Sequence, residues 1–225
     1  MYSISEFQKK LNQVHCCDCI EGMKYIPDNS IDMILTDIPY NEVNRKSNGL
    51  RNLNKKDADI LTFDLEQFLN EINRILKGSV YIFCGTEQVS LIRKKLVSLK
   101  FSTRLCVWKK TNPSPMNGQH IWLSGIETCI YGKKLKATFN EHCKNSVWEF
   151  PNGRNKIHPT EKPLKLFQYL ISVSSNENDI ILDPCMGSGT TAIACLKSNR
   201  KFIGFEISKE YTEICKKRIK ETKEE

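Results

Sequence analysis

The chain has 225 residues, 40% hydrophobic and 27% charged, and its 34 Lys and Arg against 26 Asp and Glu leave a formal net charge of +8. That length suits one globular domain with a sizeable core, and no apolar stretch approaches the length a bilayer-spanning helix needs, so no such helix is expected. The positive balance fits a polyanionic partner, and the polar segment 1–12 lacks the apolar centre of a secretory signal, which points to the cytoplasm.

In chain order, residues 13–17 read as a short strand leading into Cys16-Cys17-Asp18-Cys19. This CxxC has no second ligand pair, since Cys84, Cys106, Cys129 and Cys143 are scattered singly, and no metal site is expected. A second strand, 31–37, runs into Thr36-Asp37-Ile38-Pro39-Tyr40, and a basic segment without periodicity follows at 41–62. In the helical segment 64–77, Leu65, Phe68, Leu69, Ile72, Ile75 and Leu76 share one face, with Asp64 placed to cap its start and Gly78 its end. Strands at 79–84, 101–108 and 127–131 surround a helix at 86–99, and residues 133–162 are basic and irregular. A helix at 163–174, a strand at 179–183, a helix at 188–198, a strand at 201–206 and a helix at 208–221 complete the pattern. Most of the strands are continuous apolar runs. Strand–helix alternation of this kind predicts an α/β fold, a mostly parallel seven-stranded sheet with helices on both faces.

Two segments carry chemistry. Asp183-Pro184-Cys185-Met186-Gly187-Ser188-Gly189-Thr190-Thr191 links a strand to a helix, where glycines let a ligand approach the backbone and the helix start favours an anionic group. Its spacing matches neither a dinucleotide fingerprint nor a P-loop. Glu206 ends the next strand, where a carboxylate accepts hydrogen bonds from ribose hydroxyls, so the turn and the acid together imply an adenosine-like ligand. Asp37 and Tyr40 place an acceptor and a stacking face at the carboxyl end of another strand.

These motifs resemble those of a known family. Asp37-Ile38-Pro39-Tyr40 is similar to the DPPY motif of amino-methyltransferases, and residues 183–191 to their DPFxGSGTT cofactor loop. His158-Pro159-Thr160-Glu161-Lys162-Pro163 resembles the HPTQKP block, and Trp108-Lys109-Lys110-Thr111-Asn112-Pro113 the tryptophan-lysine-asparagine-proline segment. The catalytic motif precedes the cofactor loop, which is the circularly permuted order of the β class of DNA amino-methyltransferases. The resemblance implies a Rossmann-like methyltransferase fold, S-adenosyl-L-methionine as cofactor, and methyl transfer to an exocyclic amine of a DNA base. Aspartate at the first motif position leans toward adenine N6. The alternatives are cytosine N4 and a decayed, DNA-binding methylase homologue.

By residue, the resemblance implies a catalytic set of Asp37, Ile38, Pro39 and Tyr40. The Asp37 carboxylate and the Ile38 carbonyl would accept the target amino hydrogens while Tyr40 stacks on the flipped base. Ile38 departs from the family's proline at a position that supplies only its carbonyl. Cofactor contacts are implied for Asp18, Cys19, Asp37, Lys162, Asp183, Pro184, Gly187, Ser188, Gly189, Thr190, Glu206 and Ile207. Asp18 would lie near the adenine, Glu206 on the ribose, and Gly187 and Gly189 would make room for the methionyl part. The basic residues Arg45, Lys46, Arg51, Lys55 and Lys56, then Lys133, Lys134, Lys136, Arg154 and Lys156, are expected to flank the catalytic mouth and meet DNA phosphates. Segment 133–162 is the expected target-recognition region of the single domain. Lys216, Lys217, Arg218 and Lys220 read as a solvated helix face, and the sequence leaves homodimer formation open.

Overall fold

A computed structural model describes residues 3–40, 63–115, 118–153 and 162–224. The elements run α1 (Ile4–Gln8), β1 (Gln13–Cys16), α2 (Cys19–Lys24), β2 (Ile31–Asp37), α3 (Leu65–Ile75), β3 (Leu76–Cys84), α4 (Val89–Ser98) and β4 (Ser102–Lys110). They continue with β5 (Ile126–Lys133), β6 (Val147–Phe150), α5 (Leu164–Ser174), β7 (Ile180–Asp183), α6 (Thr190–Leu196), β8 (Lys201–Glu206) and α7 (Lys209–Glu224). One sheet joins all the strands in the order β1-β8-β7-β2-β3-β5-β4-β6.

Seven of these strands are the expected ones, and β6 is an eighth. It lies inside the segment read as irregular, pairs parallel to β4 and sets Trp148 beside Trp108. Trp148 is buried, so part of the expected recognition segment belongs to the core of the sheet. A four-residue strand broken from its neighbours by polar residues has too little period to be read from sequence.

The fully buried strands sit between two layers of helix. Phe68, Leu69, Ile72 and Ile75 of α3 join Ile20 and Met23 of α2 and Ile92 and Leu96 of α4 on one face. Phe167, Leu170 and Ile171 of α5, Ala192 to Cys195 of α6 and Cys215 and Ile219 of α7 form the other core. Each large apolar side chain so buried stabilises the fold by roughly 1.5–3 kcal/mol. Asp64 caps α3, accepting from the amides of Glu66 at 2.8 Å and Gln67 at 3.2 Å. Gly78 does not end α3 as expected. The chain turns straight from α3 into β3, where a Cβ on Gly78 would lie 1.8 Å from the Asp32 carbonyl oxygen. Before β2, the Arg74 guanidinium holds the carbonyls of Met23 and Ile26, each at 2.8 Å.

The permuted order now has a spatial meaning. β1 pairs parallel with β8, so Cys16 lies opposite Glu206, and β7 pairs parallel with both β8 and β2. The carboxyl ends of β1, β8, β7, β2 and β3 therefore share one edge of the sheet, where α/β folds bind their ligands. Among the described residues, no helix is long and apolar enough to cross a membrane.

Candidate active site

Asp37 closes β2 on that edge. The Tyr40 hydroxyl donates to its Oδ1 at 2.9 Å, and the Lys162 ammonium pairs with its Oδ2. Lys162 also meets Glu127 Oε2 at 3.0 Å, and Lys110 meets Glu127 Oε1 at 2.8 Å. The result is an alternating chain of charge: Asp37, Lys162, Glu127, Lys110. The Lys162 side chain is only 3% exposed and its ammonium lies 5.5 Å from the Tyr40 ring centre and 5.4 Å from that of Phe83. Asp37 keeps 23% of its side-chain surface accessible, so the carboxylate can still be approached.

Burial lifts the Asp37 carboxyl above its ordinary range against the pull of Lys162, and the neighbouring Glu127 charge adds to the lift. Burial opposes the charge on Lys162 too, but two carboxylates hold this ammonium well above the usual lysine range. Glu127 resists desolvation for the same reason: Lys162 and then Lys110 bring it down to about 2. Sharing one ammonium between two acids keeps the cluster ionised in a dry setting.

Ile38 is fully buried, and its amide donates to the Phe83 carbonyl at 3.1 Å. Proline has no such donor. The residue that departs from the family motif thus extends the β2–β3 ladder and fills the core below. Gln88 fixes the next residue, its Nε2 donating to the Pro39 carbonyl at 3.1 Å while its Oε1 accepts from the Gly85 amide at 2.8 Å.

At the end of β8, Glu206 is buried and accepts from the amide of Gly187 at 2.8 Å and from that of Ser208 at 2.8 Å. Burial raises its carboxyl, and these amides oppose the rise. Each carboxylate oxygen retains a further acceptor site. Gly187 has φ +53° and nothing lies within 4 Å of where its Cβ would be. Gly189 differs: with φ +94°, its Cβ would strike Cys215 Sγ at 2.5 Å, so this glycine seats α6 against α7 rather than clearing space for a ligand. Asp183 is buried, accepting from Thr191 Oγ1 at 2.5 Å and the Cys185 amide at 3.0 Å, and burial pushes its carboxyl up to about 7. Pro184, Ser188 and Thr190 lie buried in the same loop, and Ile207 is exposed beside Glu206. Arg218 was read as solvated, yet it donates to the Ser188 carbonyl at 2.8 Å and so braces the loop from α7.

Asp18 is the N-cap of α2, its Oδ1 accepting from the amides of Ile20 at 2.9 Å and Glu21 at 3.0 Å. Cys19 follows as a buried first residue of that helix. Both stand at the exit of β1, next to the exit of β8.

Two further expectations need correction. Lys162 was expected at the cofactor, but its ammonium joins the Asp37–Glu127 cluster. Lys133, Lys134 and Lys136 were expected at the catalytic mouth. Because β5 runs antiparallel to β3, with Thr128 opposite Cys84 and Lys133 opposite Ser79, these lysines leave from the far edge, about 20 Å along the strand from Glu127. Lys134 is tied down there, donating to the Asn73 carbonyl at 2.7 Å. Arg45, Lys46, Arg51, Lys55, Lys56, Arg154, Lys156 and His158 lie outside the described residues. Glu127, Lys110 and Gln88 were missed. A lone acid in the apolar run Ile126-Glu127-Thr128-Cys129-Ile130 was the available signal, since a charge there demands a partner.

Residues 132–217 match the DNA methylase family. The chain is 33% identical over 231 residues to the Type II methyltransferase M.HpaI of Haemophilus parainfluenzae, covering 91% of this chain and 73% of that one. It is 32% identical over 239 residues to the DNA adenine methyltransferase YhdJ of Escherichia coli K12, covering 90% and 80%. The crystal structure of the M1.HpyAVI–SAM complex superposes with a TM-score of 0.73 at 30% identity, over 92% of this chain and 98% of that chain. With the permuted order of its strands and the Asp37-Ile38-Pro39-Tyr40 and 183–191 segments side by side on one sheet edge, the chain belongs to the DNA methylase family, in the β class of amino-methyltransferases.

Proposed function

We propose that this protein transfers a methyl group from S-adenosylmethionine to N6 of adenine in DNA, with Asp37 receiving the target amine. The observation that carries the reading is the accessible carboxylate of Asp37 at the end of β2, on the same sheet edge as the loop and carboxylate of Gly187 and Glu206. That second group fits the cofactor: the space at Gly187 is open, and a buried carboxylate with spare acceptor sites suits ribose hydroxyls. When bound, S-adenosylmethionine supplies an electrophilic methyl group. The similarity to YhdJ, named as an adenine methyltransferase, and the aspartate at position 37 favour adenine over cytosine.

The chain's own part is to orient and to accept charge. Asp37 and the Ile38 carbonyl take the two amino hydrogens, which pulls lone-pair density onto the nitrogen and aligns it for attack. The nitrogen becomes cationic as its bond to the methyl forms and the sulfur–methyl bond breaks, with that bond's electron pair left on sulfur in a departing neutral thioether. The surplus proton on nitrogen passes to Asp37 or water. Asp37 need not be a strong base, because the proton leaves an already cationic nitrogen. Tyr40 orients Asp37 through its hydroxyl, and its ring is the stacking partner for the flipped base. Glu127 is a positioning residue: it shares the Lys162 ammonium with Asp37 and balances its charge.

The reading is tested by incubating unmethylated DNA with protein and isotopically labelled S-adenosylmethionine, then digesting it to nucleosides for mass spectrometry. Labelled N6-methyladenine is expected. N4-methylcytosine as the sole product overturns the adenine assignment, and no labelled base overturns the activity.

A further inference from the structure

The connection between β4 and β5 carries Ile121, Trp122 and Leu123, which are 68%, 95% and 43% exposed. Three consecutive large apolar residues open to water mark a contact surface rather than a random surface residue. The backbone places them. β4 runs parallel to β3, because each pairs antiparallel with β5, so the β4 exit lies on the catalytic edge. The Lys110 amide donates to the Gly125 carbonyl at 2.8 Å and pins the base of the loop, while Lys110 and Glu127 from the two flanking strands enter the Asp37 cluster. Trp122 is three residues from Gly125, so it stands within about 11 Å of that anchor. Within the loop, Leu123 closes onto Gly118, where a Cβ would meet Leu123 Cδ2 at 2.7 Å. This packing shapes the loop and leaves the indole outermost.

Resting on the methyltransferase reading above, we propose that Trp122 is a DNA wedge: its indole enters the gap left in the duplex when the target base turns out toward Asp37. A base that leaves the stack exposes two apolar base faces, and an inserted planar side chain covers both. The enzyme's own reaction requires such a gap, and Trp122 is a bare aromatic at the rim of the site that receives the base. The net charge of +8 favours a polyanion over a second copy of this basic chain, and the reaction read above makes DNA that polyanion. Because the indole is 95% exposed and has no partner among the described residues, its contribution should appear only on DNA.

The three tryptophans make this directly readable. Trp108 and Trp148 are buried, so collisional quenching by acrylamide reports on Trp122. The probes are a short duplex with one central abasic position, where the gap is already open, and the intact duplex of the same sequence, each with protein saturated in S-adenosylhomocysteine. The abasic duplex is expected to bind about tenfold more tightly and to shield the quenchable tryptophan. Trp122→Ala should abolish that preference and leave S-adenosylhomocysteine affinity unchanged, with Trp122→Phe retaining part of it. A tryptophan that stays quenchable on the abasic duplex, or a Trp122→Ala protein that keeps the preference, overturns the proposal. Shielding that grows with protein concentration without DNA assigns the loop to self-association and also overturns it. If DNA is methylated while Trp122 stays open, the wedge alone fails; if no DNA is methylated, the underlying reading fails.

Discussion

Replacing Glu127 by Gln keeps the shape of the side chain and removes one charge from the cluster beside Asp37. The Lys162–Glu127 contact at 3.0 Å corresponds to about 5 kcal/mol of Coulomb attraction at an effective dielectric of about 20. Lowering of the Glu127 carboxyl from 4.5 to about 2 corresponds to about 3 kcal/mol at neutral pH. Lys162 keeps Asp37, and Gln keeps a hydrogen bond, so a net loss of about 2–3 kcal/mol is expected, or about 5–10 °C in Tm for a chain of this size. A depressed carboxyl contributes stability above its unfolded pKa and loses it as pH falls through the folded value. The deficit of Glu127→Gln should therefore be full at pH 7 and shrink between about pH 4.5 and about pH 2.

The catalytic consequence is separate. Asp37 and Glu127 balance Lys162 and Lys110, and the variant leaves one surplus positive charge where the target nitrogen turns cationic. We expect kcat to fall roughly 10- to 100-fold, about 1.4–2.7 kcal/mol, with DNA affinity little changed. Loss of Glu127 also removes a charge that lifts the Asp37 carboxyl, so the acid limb of the pH–rate profile should move to lower pH. Single-turnover transfer of tritiated methyl across pH 5–9 reads both effects. Glu127→Gln combined with Lys110→Gln restores neutrality and should recover most of the rate. Normal kcat with an unmoved acid limb, in a protein shown to be folded, would refute the electrostatic role and leave Glu127 as scaffold.

Three further outcomes are expected. Glu206→Gln should weaken S-adenosylmethionine by about 1.5–3 kcal/mol, the worth of hydrogen bonds to a charged group, as measured by calorimetry; unchanged affinity would move the ribose partner elsewhere. The Asp183 carboxyl keeps its proton up to about pH 7 in the fold, whereas the unfolded chain loses it near pH 4. The stability of the cofactor-free protein should thus decline by about 4 kcal/mol as pH rises through that window, and Asp183→Asn should flatten the slope in urea titrations. Neutralising Lys133 and Lys136 should leave the salt dependence of DNA binding unchanged, because these side chains leave from the edge opposite Asp37; a slope reduced by one or more would place DNA there.

The sequence by itself determined the alternating layers, the permuted order and the two motif segments, because each rests on local period or on contiguous residues. Apolar runs of five to seven residues identify buried strands, and a glycine-rich strand-to-helix turn is a feature of nine neighbouring positions. Asp37, Tyr40, Gly187 and Glu206 were legible for that reason. Tertiary structure decided what depends on strand direction and on partners distant in sequence. Lys162 is 125 residues from Asp37 in sequence and meets it only in the assembled fold, just before the start of α5. The antiparallel course of β5 brought Glu127 into the site and carried Lys133 away from it, although the two belong to one strand. The same pairing explains Ile38: its amide meets the Phe83 carbonyl, a bond that local sequence cannot reveal because its acceptor lies on another strand. A buried charge can be recognised from its own residue, but its counter-charge is selected by the approach of the backbone, and only the assembled sheet specifies that approach.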